Sequence, residues 1–68
     1  MNISEGIQAQ MARTGVASLT SLARRTGLNQ PTLYKIISGE TEDPRISTLL
    51  ALAKFFDVNV EELIGAGE

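Results

Sequence analysis

Leu22-Ala23-Arg24-Arg25-Thr26-Gly27-Leu28-Asn29-Gln30-Pro31-Thr32-Leu33-Tyr34-Lys35-Ile36-Ile37 decides how this chain folds. It holds two short helical patterns with a turn between them. Gly27 suits the left-handed backbone that closes a helix. Asn29 is an N-cap for the next helix, and Pro31 falls in that helix's first turn, where its missing N–H costs nothing. Leu22 and Ala23 share an apolar face on the first segment, as do Leu33, Ile36 and Ile37 on the second. Two helices that cross steeply need a small residue at their closest approach, and Ala23 is one. They need a sharp turn, which Gly27 allows, and an apolar plug just after it, which Leu28 supplies. Gln30, Thr32, Tyr34, Lys35 and Ser38 are left for outward faces. This is the layout of a helix-turn-helix, whose second helix can enter the major groove of DNA.

Helices are expected on both sides of the motif. Ile3, Ile7 and Met11 recur every four residues and predict a first helix over 3–13. Asn2 followed by Glu5 is a capping-box pattern; Gly6 weakens this helix and Gly15 ends it. Ser18 caps a second helix over 19–26, and the third runs over 30–38 until Gly39 stops it. Glu40 to Pro44 form a loop. Ile46, Leu49, Leu50, Leu52, Ala53, Phe55 and Phe56 predict a fourth helix over 46–56. Its apolar residues exceed one stripe, as in a central core helix or one with a second sticky face. Asn59 with Glu62 repeats the capping box and opens a short fifth helix over 60–64, and Ala66-Gly67-Glu68 are expected to fray. The expected fold is all-α: one five-helix domain over residues 1–68, with the helix-turn-helix at about 18–39.

Composition excludes several functions. The chain is 43% apolar, yet its aromatics are only Tyr34, Phe55 and Phe56, so the core must come from Leu, Ile, Val and Ala. Without cysteine there is neither a disulfide framework nor a cysteine zinc site; without histidine the commonest general base and metal ligand are missing. Glu61-Glu62 fall in the first turn of a helix, where negative charge favours the dipole, and read as capping rather than catalysis. No enzyme, cofactor or metal is expected. No apolar run approaches the roughly 20 residues of a membrane span, and the first residues lack a signal pattern, so a cytoplasmic protein is expected.

Net charge is −2, but it is unevenly spread. Residues 11–39 carry Arg13, Arg24, Arg25 and Lys35 and no acid, while 40–68 carry seven acids against Arg45 and Lys54. A nucleic-acid footprint is a local field, so the basic stretch matters more than the total.

Together these features resemble the Cro and phage-repressor type of helix-turn-helix, the xenobiotic-response-element family, with a lambda-repressor-like fold. The resemblance runs from about Ser18 to Gly65 and rests on Leu22-Ala23, Gly27, Ile36-x-x-Gly39, Pro44, the Leu49–Val58 segment and Asn59-Val60-Glu61-Glu62-Leu63-Ile64. It implies that Gln30, Pro31, Tyr34 and Lys35 face bases or the groove wall, with Thr32 beside them. It implies phosphate contacts at Ser38 and Arg45, to which the basic stretch adds Arg24 and Arg25. Phe56 takes the usual core slot, leaving Phe55 as a dimer or partner contact, or as packing against the fifth or first helix. Three departures stand out. Leu19 replaces a phosphate-clamping Gln, and Ile37 with Met11 or Ala12 replaces a buried Glu–Arg pair, a swap to apolar packing that is often neutral. The loop before the fourth helix is acidic, Glu40-Thr41-Glu42-Asp43, which weakens nonspecific DNA affinity.

The resemblance implies a sequence-specific regulator of bacterial or prophage type. As a repressor it would bind double-stranded DNA at a palindromic operator as a homodimer. The alternatives are an antitoxin-like module that holds a toxin protein and represses its own operon, or a protein-interaction domain with weak DNA binding.

Overall fold

The computed structural model describes residues 3–41 and 43–65, and among these it contains five helices and no strand. They are α1 (Ile3–Thr14), α2 (Leu19–Thr26), α3 (Gln30–Ile37), α4 (Ile46–Phe56) and α5 (Val60–Gly65). Each bound lies within a residue of the sequence expectation. The Asn2 half of the first capping box, Glu42 of the acidic loop and the tail 66–68 lie outside the described residues.

Local chemistry explains the boundaries. The Ser18 hydroxyl accepts from the Ser21 N–H at 3.1 Å, and the Asn29 side chain accepts from the Thr32 N–H at 3.4 Å. At α5 the capping box is complete. Asn59 Oδ1 accepts from the Glu62 N–H at 2.7 Å, and the Asn59 N–H donates to Glu62 Oε1 at 3.2 Å. Gly27 closes α2 at φ 76°, its N–H donating to the Ala23 carbonyl at 2.9 Å. α4 stops on a residue that is not glycine: Asp57 takes φ 59° and ψ 45°. The Val58 N–H then reaches the Ala53 carbonyl and the Asp57 N–H the Lys54 carbonyl, the pairing of a Schellman cap.

Every helix contributes to one core. Ile7, Leu22, Leu33, Ile36, Leu52, Phe56 and Leu63 are fully buried, each stabilising the fold by roughly 1.5–3 kcal/mol relative to exposure. Met11, Leu19, Ala23, Leu28, Ile37 and Phe55 pack half-buried around them. Met11 and Ile37 thus supply the apolar packing expected in place of an ion pair. A hydroxyl adds to it, since Ser4 Oγ donates to the Ile37 carbonyl and accepts from Gln8 Nε2 at 2.9 Å. The C-terminal end of α3 is thereby tied to α1.

Two residues act differently from their sequence expectation. Gly6 is not merely a weak point of α1. A Cβ placed there would overlap the Leu63 carbonyl oxygen, so α5 docks against bare backbone. Arg13, counted with the basic stretch, reaches the far end of α4. Its Nη2 donates to the Phe56 carbonyl at 2.8 Å and its Nε to Gln10 Oε1 at 2.7 Å. It satisfies a carbonyl at a helix C-terminus, where positive charge is favoured.

Candidate nucleic-acid interface

α3 is anchored from behind and open in front. Leu33 and Ile36 are buried and Ile37 half-buried, which fixes one side of the helix in the core. At about 100° per residue, Pro31, Lys35 and Ser38 then form the outward crown. Gln30 and Tyr34 stand one turn apart on one flank, and Thr32 on the other. Gln30, Pro31, Thr32, Tyr34 and Lys35 are exposed, and so is Ser38. Tyr34 is 63% exposed, so its ring is not laid over the core edge.

The turn that aims α3 is held by a residue that sequence reasoning passed over. Thr26 Oγ1 donates to the Leu22 carbonyl at 2.7 Å and accepts from the Leu28 N–H at 3.2 Å. One hydroxyl thus bridges the last turn of α2 to the residue after Gly27. A threonine just before a helix-closing glycine was the available signal. Leu28 plugs the angle as expected, packed against the core. Beyond α3 the Thr41 N–H donates to the Lys35 carbonyl at 3.0 Å, folding the loop back on the helix end.

Exposed charges lie on the helix-turn-helix and on the segment that follows it. Arg24 and Arg25 are exposed in the last turn of α2, and Lys35 in the last turn of α3. Arg45 is exposed as the N-cap residue of α4 and makes no side-chain cap bond. Ser38 is exposed, and its Oγ donates to the Lys35 carbonyl at 3.2 Å. Leu19 is half-buried in the core, so it presents no polar group at the start of α2. Glu40 and Asp43 are exposed in the loop after α3. The candidate site therefore offers an exposed polar face on α3, the exposed cations Arg24, Arg25, Lys35 and Arg45 on or next to α2, α3 and α4, and a short acidic stretch that follows α3 in the chain. Behind it lies a groove of about 600 Å³, walled by the end of α3, the loop, α1, α4 and Ile64. Phe55 stays half-buried, edge-on to Phe56 with ring centroids 5.1 Å apart.

Comparison with known proteins agrees with this geometry. The model of the Cro/C1-type helix-turn-helix DNA-binding domain matches residues 7–66. An uncharacterised HTH-type transcriptional regulator of Coxiella burnetii is 31% identical over 64 residues, covering 94% of this chain and 29% of the relative. A putative protein P2 of Acyrthosiphon pisum secondary endosymbiont phage 1 is 38% identical over 52 residues, covering 76% of the chain and 53% of the relative. An uncharacterised protein of Methanocaldococcus jannaschii is 38% identical over 53 residues, covering 78% and 55%. The chain thus spans from under a third to about half the length of these relatives. No solved structure matches it. No helix among the described residues is long and apolar enough to cross a membrane. The chain belongs to the Cro/C1-type helix-turn-helix DNA-binding domain family.

Proposed function

We propose that this member of the Cro/C1-type family is a sequence-specific transcriptional regulator, a repressor that binds a palindromic operator as a dimer. The observation that carries this reading is the exposed polar face of α3, held rigid by Leu33 and Ile36. A recognition element needs both properties: side chains free to meet base edges, and a backbone that does not yield when they do. Gln30 can pair bidentately with adenine, and Lys35 can reach guanine O6 and N7. The Thr32 methyl fits a thymine methyl, while Pro31 and Tyr34 pack along the groove wall. Arg24, Arg25, Ser38 and Arg45 take phosphates and set the register.

Size supports a dimer. One chain extends 28 × 24 × 19 Å, whereas two recognition helices on one face of DNA stand about 34 Å apart. Two copies side by side meet that spacing. Repression then needs only occupancy of the operator, with no chemical step and no cofactor, by a protein working on the nucleoid in the cytoplasm.

Selection from a random-sequence duplex pool, followed by salt titration of binding to the winner, tests the proposal. A selected palindrome bound far more tightly than scrambled duplex, with affinity falling steeply in salt, is the expected result. No retention of any duplex at low salt would sink it.

A further inference from the structure

The groove at the end of α3 has the size and chemistry of a small-ligand site. Its volume of about 600 Å³ lies within the range of about 300–1,000 Å³ that small-molecule pockets occupy. Ile3 of α1, Ile36 and Ile37 of α3, Pro44 of the loop, Leu49 of α4 and Ile64 of α5 give it apolar walls. Among the described residues that line it, Asp43 alone carries a charge, and no lysine or arginine lines it. Asp43 is exposed and Thr41, on the same groove, half-buried. Neither the Asp43 carboxylate nor the Thr41 hydroxyl has a hydrogen bond or ion pair among the described residues. The last residues of α3 form one wall, so the negative end of that helix adds to the sign of Asp43.

These features select one class of ligand. An anion is repelled by Asp43 and by the helix end. A metal ion would find one carboxylate among aliphatic walls, where hard divalent cations take about six oxygens or more, and no group of metal-ligating residues occurs among the described residues. A wholly apolar molecule leaves the charge unused. An ammonium on an aliphatic or aromatic body uses both parts of the groove. Its three N–H donors match the Asp43 carboxylate and the Thr41 hydroxyl, while its body takes water from Ile3, Ile37, Leu49 and Ile64.

We propose that this groove binds a small organic amine as its cation, and that the bound amine strengthens DNA binding. The charge of the ammonium offsets that of Asp43. Asp43 shares the groove with Ser38, which is assigned to a phosphate, and a carboxylate there is unfavourable beside DNA. An occupied groove therefore presents one negative charge fewer to the backbone. By linkage, DNA tightens amine binding by the same factor. The arrangement gives the acidic loop a use: it weakens DNA binding until the amine arrives. This coupling rests on the operator reading above; the amine site itself does not.

The probe is phenethylammonium, with phenethyl alcohol and hydrocinnamate as its neutral and anionic counterparts. Each is titrated into the full chain and followed by amide chemical shifts. Saturable shifts centred on Ile3, Ile37, Thr41 and Leu49 are expected, with a Kd of about 1 mM or tighter. The alcohol should bind at least about threefold more weakly, and the carboxylate more weakly again. Asp43 is exposed, so Asp43→Asn keeps the fold, and it is expected to bring the amine to the level of the alcohol. Equal affinity for the three probes, or an amine affinity indifferent to Asp43→Asn, would overturn the site. So would shifts centred on Glu61 and Glu62, or no shift up to about 10 mM amine. DNA affinity is then measured in saturating amine against an equal concentration of sodium chloride. A gain of about two- to fivefold, lost in Asp43→Asn, is expected. Amine bound in the groove with no gain sinks the coupling and leaves the site standing. Amine bound by a chain that holds no duplex in either salt sinks the operator reading instead.

Discussion

Gln30 and Arg24 both point to solvent, yet their removal is expected to show in different ways. Gln30→Ala deletes a base-edge donor–acceptor pair. It should cost about 1–3 kcal/mol on the selected operator and almost nothing on scrambled duplex, flattening the preference at one base pair. Arg24→Ala deletes a phosphate contact. It should weaken binding to both duplexes alike and lower the salt slope by about one for each copy. Anisotropy titrations on both duplexes at several salt concentrations separate the two outcomes. A Gln30→Ala variant that keeps its full preference would remove Gln30 from the base contacts. Asp57 offers a test of stability at the same scale. Its left-handed φ of 59° is strained for a residue with a Cβ. Asp57→Gly is expected to stabilise the fold by roughly 0.5–1 kcal/mol, read as a higher midpoint in thermal unfolding.

The helices stand on their caps, and α2 is the clearest case. It has only eight residues, too few to persist without packing and capping. Ser18→Ala is expected to cost about 1 kcal/mol, lowering the urea midpoint with no change in slope, and to speed amide exchange at Ser21. The five helices and the caps at Ser18, Gly27, Asn29 and Asn59 were legible in the sequence because caps, turn glycines and apolar spacing act within three or four residues of the groups they control, whereas Asp57, which closes α4, carries no such signal. The outward set of α3 was legible for the same reason: fixing Leu33 and Ile36 inward fixes the rest. Contacts between distant elements were not. Nothing near Gly6 announces Leu63, nothing near Arg13 announces the Phe56 carbonyl, and Ser4 gives no local hint of Ile37. In α4, apolar residues on several sides hid which of them the core would leave exposed. The core slot assigned to Phe56 drew attention to its neighbour Phe55, whereas burial singles out Ile46 and Leu50.

At the scale of the molecule, four cations per chain at the proposed interface and two chains per operator limit the salt dependence. Arg24, Arg25, Lys35 and Arg45 from both copies predict a slope of log affinity against log salt near about −7 at most. The acidic loop should make the measured slope shallower, and a steeper one would require cations beyond this set. The packing of the whole also hangs on Gly6. Gly6→Ala improves helix propensity by up to about 1 kcal/mol, yet its methyl cannot share the space of the Leu63 carbonyl oxygen. α5 must shift, and a net loss of about 1–3 kcal/mol is expected in denaturant melts. A variant as stable as the parent would show that α5 moves aside freely. The Gly6–Leu63 contact has a further consequence, in the order of folding. It joins positions 57 residues apart, whereas the bonds that shape the turn at Gly27 span at most four. Loop-closure entropy must be met before so distant a contact rewards the chain. The helix-turn-helix is therefore expected to form early and the seam between α1 and α5 to close late. In stopped-flow chevrons, Gly6→Ala should raise the unfolding rate and leave the refolding limb nearly in place. The seam that closes last also opens first, so native-state proteolysis should begin around α5 while the recognition helix is still folded.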